Sequence, residues 1–396
     1  MTKEKTSLSF LVILSAFMAF TSLSTDIYLP AMPSMQNDLG GRVELTVTGF
    51  VIGFALAQLI WGPISDHIGR KKPLFIGTIL FVIGSIGCAL STSMMMVVLW
   101  RIFQAIGACT GPMISRAMIR DRYDSTQAAQ MLSTLMMIMA AAPIIGPLLG
   151  GGLLEIGSWR LIFWLMVMIG IIMFLSINLL PETLDDKKRS HSSLGMSFQN
   201  YIQLLKSKKF MVYTMSVTFF YVAVYAFITG SSDIYIDYFK IKPEVYSLLF
   251  GVNILGVSIM SMVNRKLVSH FDITRLLDIS TVLAFIFSGI LAIMGTTHSF
   301  GLWGIVIPMF FVFSMNGIIA ACANAAALNT VSDEMAGSAA ALLGALQYGS
   351  GVIPSILLAV FADKTTATMT VIIAISIFLS AVMGWLGQNK KIENND

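Results

Sequence analysis

The chain has 396 residues, of which 56% are hydrophobic and 12% charged, with a mean hydropathy of +0.81, whereas soluble domains carry about 25% charged residues. Its 25 Lys and Arg and 21 Asp and Glu are too few to cover a water-facing surface of this length, which argues against a soluble enzyme or a nucleic-acid-binding module. The net charge of +4 then matters through where the basic residues fall. Cys88, Cys109 and Cys322 lie inside apolar runs without metal-ligand spacing, so neither a disulfide nor a metal site is expected.

A helix needs about 20 predominantly apolar residues to cross a hydrocarbon core ~30 Å thick, because its backbone polar groups must be bonded internally there. Charges punctuate the chain into such runs. The first six are Leu8 to Leu29, Leu45 to Ser65, Leu74 to Ser91, Met94 to Met118, Ala128 to Leu154 and Leu161 to Leu180. After a polar stretch come Phe210 to Ser231, Val245 to Val263, Leu276 to Met294, Leu302 to Cys322, Ser338 to Ala362 and Ala367 to Leu386. Lys3 and Lys5 precede the first run as in a signal peptide, but its length and its ending through Asp26 and Pro30 point to a retained helix.

The expected class is therefore an all-α integral membrane protein of twelve transmembrane helices. Residues 1–183 form one six-helix bundle, 184–209 a cytoplasmic linker, and 210–396 a second bundle. The polar connector from Pro181 to Lys209 carries Asp185, Asp186, Lys187, Lys188, Arg189 and a serine-rich run around His191. Two such halves point to an internally repeated transporter with its substrate route between them near mid-membrane.

Orientation follows from the basic residues. With the N-terminus in the cytoplasm, that side receives Lys3, Lys5, Arg70, Lys71, Lys72, Arg116, Arg120, Arg122, Lys187, Lys188, Arg189, Lys206, Lys208, Lys209, Arg265, Lys266, Arg275, Lys390 and Lys391. The outer side keeps Arg42, Arg160, Lys240, Lys242 and Lys364, and Arg101 is left inside the fourth span. Both termini are expected in the cytoplasm.

Between spans two and three the chain reads Gly62, Pro63, Ile64, Ser65, Asp66, His67, Ile68, Gly69, Arg70, Lys71, Lys72. Gly62 permits a close helix approach, and Asp66 and the basic cluster can pair with neighbouring helix ends. Span four contributes Arg101, Gln104 and Gly107, and Arg101, Gln104, Ala108, Gly111 and Ser115 share one helical face, expected to look inward. A charge inside a membrane helix costs several kcal/mol, so Arg101 is a functional candidate by default. In span five, Ala142, Gly146 and Gly150 make a small-residue groove, Pro143 and Pro147 remove backbone donors, and Gly151 follows.

Together these strings resemble the major facilitator superfamily. The loop at Gly62, Asp66, Gly69 and Arg70 resembles the family's signature loop, a conformational latch between halves, and Arg101, Gln104 and Gly107 resemble its second motif. The run from Gly146 to Gly151 resembles the antiporter motif of exporters. Ser24, Thr25, Asp26, Ile27, Tyr28, Leu29 and Pro30, with Pro181, Glu182 and Thr183 after span six, resemble the Bcr/CflA drug exporters. The resemblance implies a drug:proton antiporter; the second half matches chiefly in its span pattern, so substrate identity does not transfer.

Asp26 is a carboxylate inside a first-half span, on a small, polar face with Ser15, Ala19 and Ser22. At 1.5 Å per residue it lies roughly 27 Å along the outward-running first helix, and Arg101 roughly 10 Å down the inward-running fourth, which makes an ion pair or water-bridged pair feasible. Desolvation raises a carboxylate pKa and a nearby arginine lowers it, so a change between wet and closed states alters proton affinity. Asp26 and Arg101 are thus the candidates for proton coupling, and Asp278, near the start of span nine, is expected at the interface. Gln104, Tyr221, Tyr225, Asn253, Asn316, Asn324 and Gln347 are candidates for a substrate cavity, with methionines as adaptable lining.

The leading function is proton-coupled drug or antibiotic efflux across a bacterial inner membrane, with small amphiphilic substrate, protons and the bilayer as partners. A monomer suffices, and no cofactor is implied beyond the proton gradient. The alternative is export of an endogenous metabolite such as an amino acid or short peptide. A membrane enzyme lacks support, since His67, His191, His270 and His298 sit in loops or near span ends and no nucleophile motif or phosphate-cradling glycine loop is present.

Overall fold

The computed structural model describes residues 8–123, 125–185, 189, 194–332, 335–361 and 365–392. The architecture is all-helical. In chain order the helices are α1 (Leu8–Asp26), α2 (Met32–Leu39), α3 (Glu44–Ile68), α4 (Lys71–Leu90), α5 (Met94–Ala108), α6 (Thr110–Arg122), α7 (Ser125–Ile156), α8 (Arg160–Ser176) and α9 (Leu194–Lys206). They continue with α10 (Lys208–Ser232), α11 (Pro243–Leu267), α12 (Ile273–Thr297), α13 (Trp303–Ser314), α14 (Asn316–Leu328), α15 (Ala336–Gly349), α16 (Val352–Val360) and α17 (Ala367–Ile392).

Eleven helical stretches among the described residues are long and apolar enough to cross a membrane, and α7, whose apolar part Ala142–Ile156 is described, adds the further one. This is the expected twelve-span fold. Large apolar side chains stand exposed along the helices, such as Leu175 at 60%, which water would penalise and lipid does not.

Two expectations need correction. The first span does not stop at Leu29. It breaks after Asp26, where Pro30 and Pro33 remove backbone donors, passes through a 3-10 turn at Leu29–Ala31 and continues as α2 to Leu39. Spans four, ten and eleven are each two consecutive helices, broken at Cys109, Met315 and Ser350–Gly351. The connector contains the helix α9 at 194–206, which buries Tyr201 and Leu204 three residues apart and exposes Ile202 and Leu205.

The chain divides into two compact units, residues 1–41 with 49–194 and residues 42–48 with 195–396. In the first, α4 packs on α5 and α8, and α1 on α6 and α7. Glycines set the approach of α3 to α5: a Cβ on Gly49 would stand 2.6 Å from the Val98 carbonyl oxygen, and one on Gly53 2.5 Å from that of Ile102. Gly62 does not act this way, because its Cβ would meet only the Met113 sulfur, at 3.9 Å. One end of the unit is pinned by Arg160, which donates to Asp38 at 2.7 Å and to the Ser91 carbonyl at 3.1 Å, while Trp159 Nε1 donates to Asp38 at 3.0 Å.

In the second unit, α17 packs on α10 and α12, and α14 on α10 and α11. Its aromatic core stacks Phe227 on Phe250 at 5.8 Å and sets Phe313 edge-on at 5.4 Å. Buried hydroxyls bond backbone carbonyls across helices, as Ser216 to Ser380 at 3.0 Å and Ser380 back to Ser216 at 2.8 Å.

Candidate functional site

The break after Asp26 carries the densest set of predicted residues. Arg101 of α5 is fully buried, at 0% exposure. Its guanidinium carbon lies 4.3 Å from the ring centre of Tyr28 and 4.2 Å from that of Phe50, so two aromatic faces take the place of water. Nη1 donates to the Ser24 carbonyl at 3.0 Å and to Gln104 Oε1 at 2.5 Å. Gln104 is itself fully buried, and its Nε2 donates to Ser85 Oγ at 2.7 Å and to the Met166 sulfur at 3.2 Å. Gln104 thereby orients Arg101. Ala108, Gly111 and Ser115 on the same face are buried as well, and a Cβ on Gly111 would stand 2.6 Å from the Phe17 carbonyl oxygen.

Asp26, 5% exposed, ends α1 two residues beyond the Ser24 carbonyl that Arg101 grips. The Arg101 charge acts on its carboxylate, yet no ion pair among the described residues joins them. Arg101 Nε and Nη2 are buried with no hydrogen-bond partner. A cation with two unused donors and a buried carboxylate in its field can switch between a neutral acid beside a free cation and a bonded pair.

The span-five motif presses on the same break. A Cβ on Gly146 would stand 3.5 Å from Asp26 Cβ and 3.3 Å from the Ile27 nitrogen, and one on Gly150 would run into the Ile27 carbonyl oxygen. Both glycines and Pro147 are buried and Pro143 is half-buried. Gly151 is also buried, while at Gly152 the space is open. These glycines let α7 approach the irregular backbone that carries Asp26.

The loop motif forms a second cluster in the first unit. Arg70 donates to Asp66 at 2.6 Å, to Asp121 at 2.8 and 3.2 Å, and to Ser65 Oγ at 2.8 Å. Asp66 is 53% exposed on its side chain, whereas Asp121 is mostly covered. Gly69 has φ +92°, the left-handed region, and a Cβ there would stand 2.7 Å from Glu182 Oε2, so glycine is required twice over. The Glu182 carboxylate accepts backbone N–H bonds from Arg70, Lys71, Thr183 and Leu184 between 2.9 and 3.1 Å, capping the start of α4.

Burial works against charge on both partners, and bonding outweighs it. Arg70 is held above its usual range by Asp121 and Asp66, and Glu182 below the usual glutamate range by its backbone donors. Asp121 and the capping by Glu182 escape sequence reasoning. An acid between Arg120 and Arg122 is the one available signal for the former.

In the second unit Tyr221 lies 6.4 Å from Tyr225 and 6.3 Å from Tyr348, ring to ring, and a Cβ on Gly351 would stand 2.8 Å from the Tyr225 ring. Tyr348 is an unpredicted member of this cluster. Asn253 is buried and donates to the Leu249 carbonyl at 3.2 Å. Asn316 and Asn324 each leave a buried Oδ1 without a partner, and Gln347 is buried. No group of His, Cys, Asp and Glu able to hold a metal occurs among the described residues.

A family profile described as Major Facilitator Superfamily matches residues 12–355. YdgK of Bacillus subtilis (strain 168), described as an uncharacterized MFS-type transporter, is 35% identical over 390 residues, covering 97% of this chain and 95% of its own. The bicyclomycin resistance protein homolog of Haemophilus influenzae is 26% identical over 373 residues, 93% of each chain. Among solved structures, the nucleoside transporter NupG superposes with a TM-score of 0.77 at 12% identity, over 96% of this chain and 99% of its own, a likeness of fold alone.

Proposed function

This chain belongs to the major facilitator superfamily and is a multi-span membrane transporter, and from that premise we propose that it exports drugs or antibiotics across the bacterial inner membrane, driven by protons. The observation that carries the proposal is the buried Arg101 guanidinium, held between two aromatic rings with Nε and Nη2 unspent, acting on buried Asp26 at a break in its helix. The relative named for bicyclomycin resistance, and the glycine and proline run against Asp26, support the direction of transport.

The cycle works by alternating access. Protonation of Asp26 from the outside removes the anion that Arg101 would otherwise bind, leaving the cation with its aromatic and carbonyl partners and releasing substrate outward. Loss of that proton to the cytoplasm restores the pair and permits loading. Asp66, Gly69 and Arg70 act as the conformational latch. The tyrosines Tyr221, Tyr225 and Tyr348, with Asn316 and Gln347, supply apolar faces and a few polar groups suited to amphiphilic compounds. The pathway is complete in one chain, with both termini in the cytoplasm.

Purified protein in proteoliposomes with an imposed pH gradient tests this, using a panel of chloramphenicol-like, cationic and amino-acid compounds. Gradient-driven movement of an antibiotic, lost in Asp26→Asn, is expected. Full proton-driven transport by Asp26→Asn would overturn the coupling role, and movement of amino acids alone would overturn drug export.

A further inference from the structure

Asp278 is the sixth residue of α12, roughly 7.5 Å inside the helix, and sequence reasoning leaves it at the interface. Instead, both its carboxylate oxygens are buried and neither has a hydrogen-bond partner. Residue 384 on α17, beside them, is glycine. A Cβ there would have as its three nearest atoms Asp278 Oδ1 at 3.1 Å, Thr281 Oγ1 at 3.5 Å and Ser216 Oγ at 3.7 Å. Three oxygens from two helices face the bare α-carbon of Gly384.

The hydroxyl hydrogens point elsewhere. Ser216 Oγ donates to the Ser380 carbonyl at 3.0 Å, and Thr281 Oγ1 donates to the carbonyls of Leu277 and Asp278, both at 3.0 Å. Each hydroxyl hydrogen is spent on backbone, so neither is given to the Asp278 carboxylate. An ionised Asp278 would add only further acceptors. A buried, unpaired carboxylate is strongly unfavourable unless a donor or a positive charge reaches it.

Among the described residues the surrounding helices bring no such charge. Arg275, one turn earlier on α12, and Lys208 and Lys209 at the head of α10 are exposed and form no ion pair with Asp278. The Tyr213 hydroxyl of α10 is given to the Gly387 carbonyl at 3.1 Å, and the Cys322 thiol of α14 to Asn264 at 3.5 Å. Neither α13 nor the described side chains of α17 include a titratable group.

We propose that Asp278 is a second proton-binding site of this chain, located in the second unit and holding its carboxyl protonated in this conformation. The proton removes the charge from a buried carboxyl that no described group pairs, and glycine at 384 keeps α17 from pressing a side chain against it. The site stands independently of whether Asp26 carries the coupled proton.

Infrared difference spectroscopy of the full chain in lipid nanodiscs at neutral pH tests it, comparing Asp26→Asn with the double variant Asp26→Asn/Asp278→Asn. Loss of one protonated-carboxyl band in the double variant is expected, with the thermal midpoint retained because Asn matches a neutral carboxyl in size and charge. Identical spectra would overturn the proposal. So would a sodium-dependent rise in thermal midpoint in Asp26→Asn that Asp278→Asn abolishes, which would make the occupant a metal cation. Should Asp278→Asn fail to fold, Asp278→Glu in the Asp26→Asn background keeps an acid but moves its band; a band that does not move overturns the proposal equally.

Discussion

The first unit buries charge and surrounds it with aromatic rings, carbonyls and opposing charges, as at Arg101 and Arg70. In the second, hydroxyls bond backbone carbonyls across helices, and aromatic rings meet around Tyr221 and Phe227. The contrast shows where specificity of geometry is needed. A buried cation tolerates few arrangements, because each lost partner leaves a donor in a medium without water, whereas a hydroxyl can bond its own helix one turn back wherever it sits. Energy coupling is therefore expected to be sensitive to substitution in the first unit, and substrate range to be adjustable in the second.

The largest effect should come from Arg101. Arg101→Lys keeps the charge but loses the flat guanidinium between Tyr28 and Phe50, costing about 3 kcal/mol, roughly a hundredfold in gradient-driven flux. Flux within threefold of the parent would show that the aromatic slot does not matter. Next is Gly150→Ala, whose methyl group meets the rigid Ile27 carbonyl and should cost about 2 to 3 kcal/mol. Gly152→Ala, with nothing within 4 Å, should stay within about 0.5 kcal/mol of the parent. Thermal unfolding of the two variants side by side reads that difference, and equal midpoints would break it.

Glu182→Gln sharpens the contrast through pH. The folded carboxyl is held below the usual range, so its contribution is complete above the unfolded glutamate value of about 4.3 and is lost as pH falls through the depressed folded value. Glu182 is partly exposed, and screening limits the effect to about 1 kcal/mol. The parent should exceed Glu182→Gln in stability at neutral pH, with the gap closing below about pH 4. A gap independent of pH would show that the carboxylate's charge is not what caps α4. The smallest effect belongs to the second unit: Tyr348→Leu removes one ring contact, worth about 1 kcal/mol, and should weaken substrate binding about fivefold while leaving proton coupling intact. Loss of coupling in that variant would erase the division between units.

Much of the arrangement was legible in residue order. Asp26, Arg101 and the glycine and proline run stand out because charge, and close repeats of small residues, are conspicuous against an apolar background. Their meeting is a tertiary fact. Phe50 lies far from Arg101 in the chain and carries no mark that separates it from the other 25 phenylalanines, yet it forms one face of the arginine's slot. Gly62 and Asp278 mislead in opposite ways. The first belongs to a motif but packs loosely, and the second sits near a helix end yet has both carboxylate oxygens buried beside Gly384 of α17.

The sequence by itself determined the helical class, the succession of apolar runs and the positions where charge enters them. Those are local properties, governed by a rise of 1.5 Å per residue, a hydrocarbon core of fixed thickness and the cost of an unpaired charge in it. Only the tertiary structure decided that Gln104 serves Arg101, that Glu182 caps a helix over a hundred residues earlier, and that three oxygens face Gly384. Such contacts depend on which helix faces meet and how closely, and that distance is set by side chains from distant parts of the chain packing together.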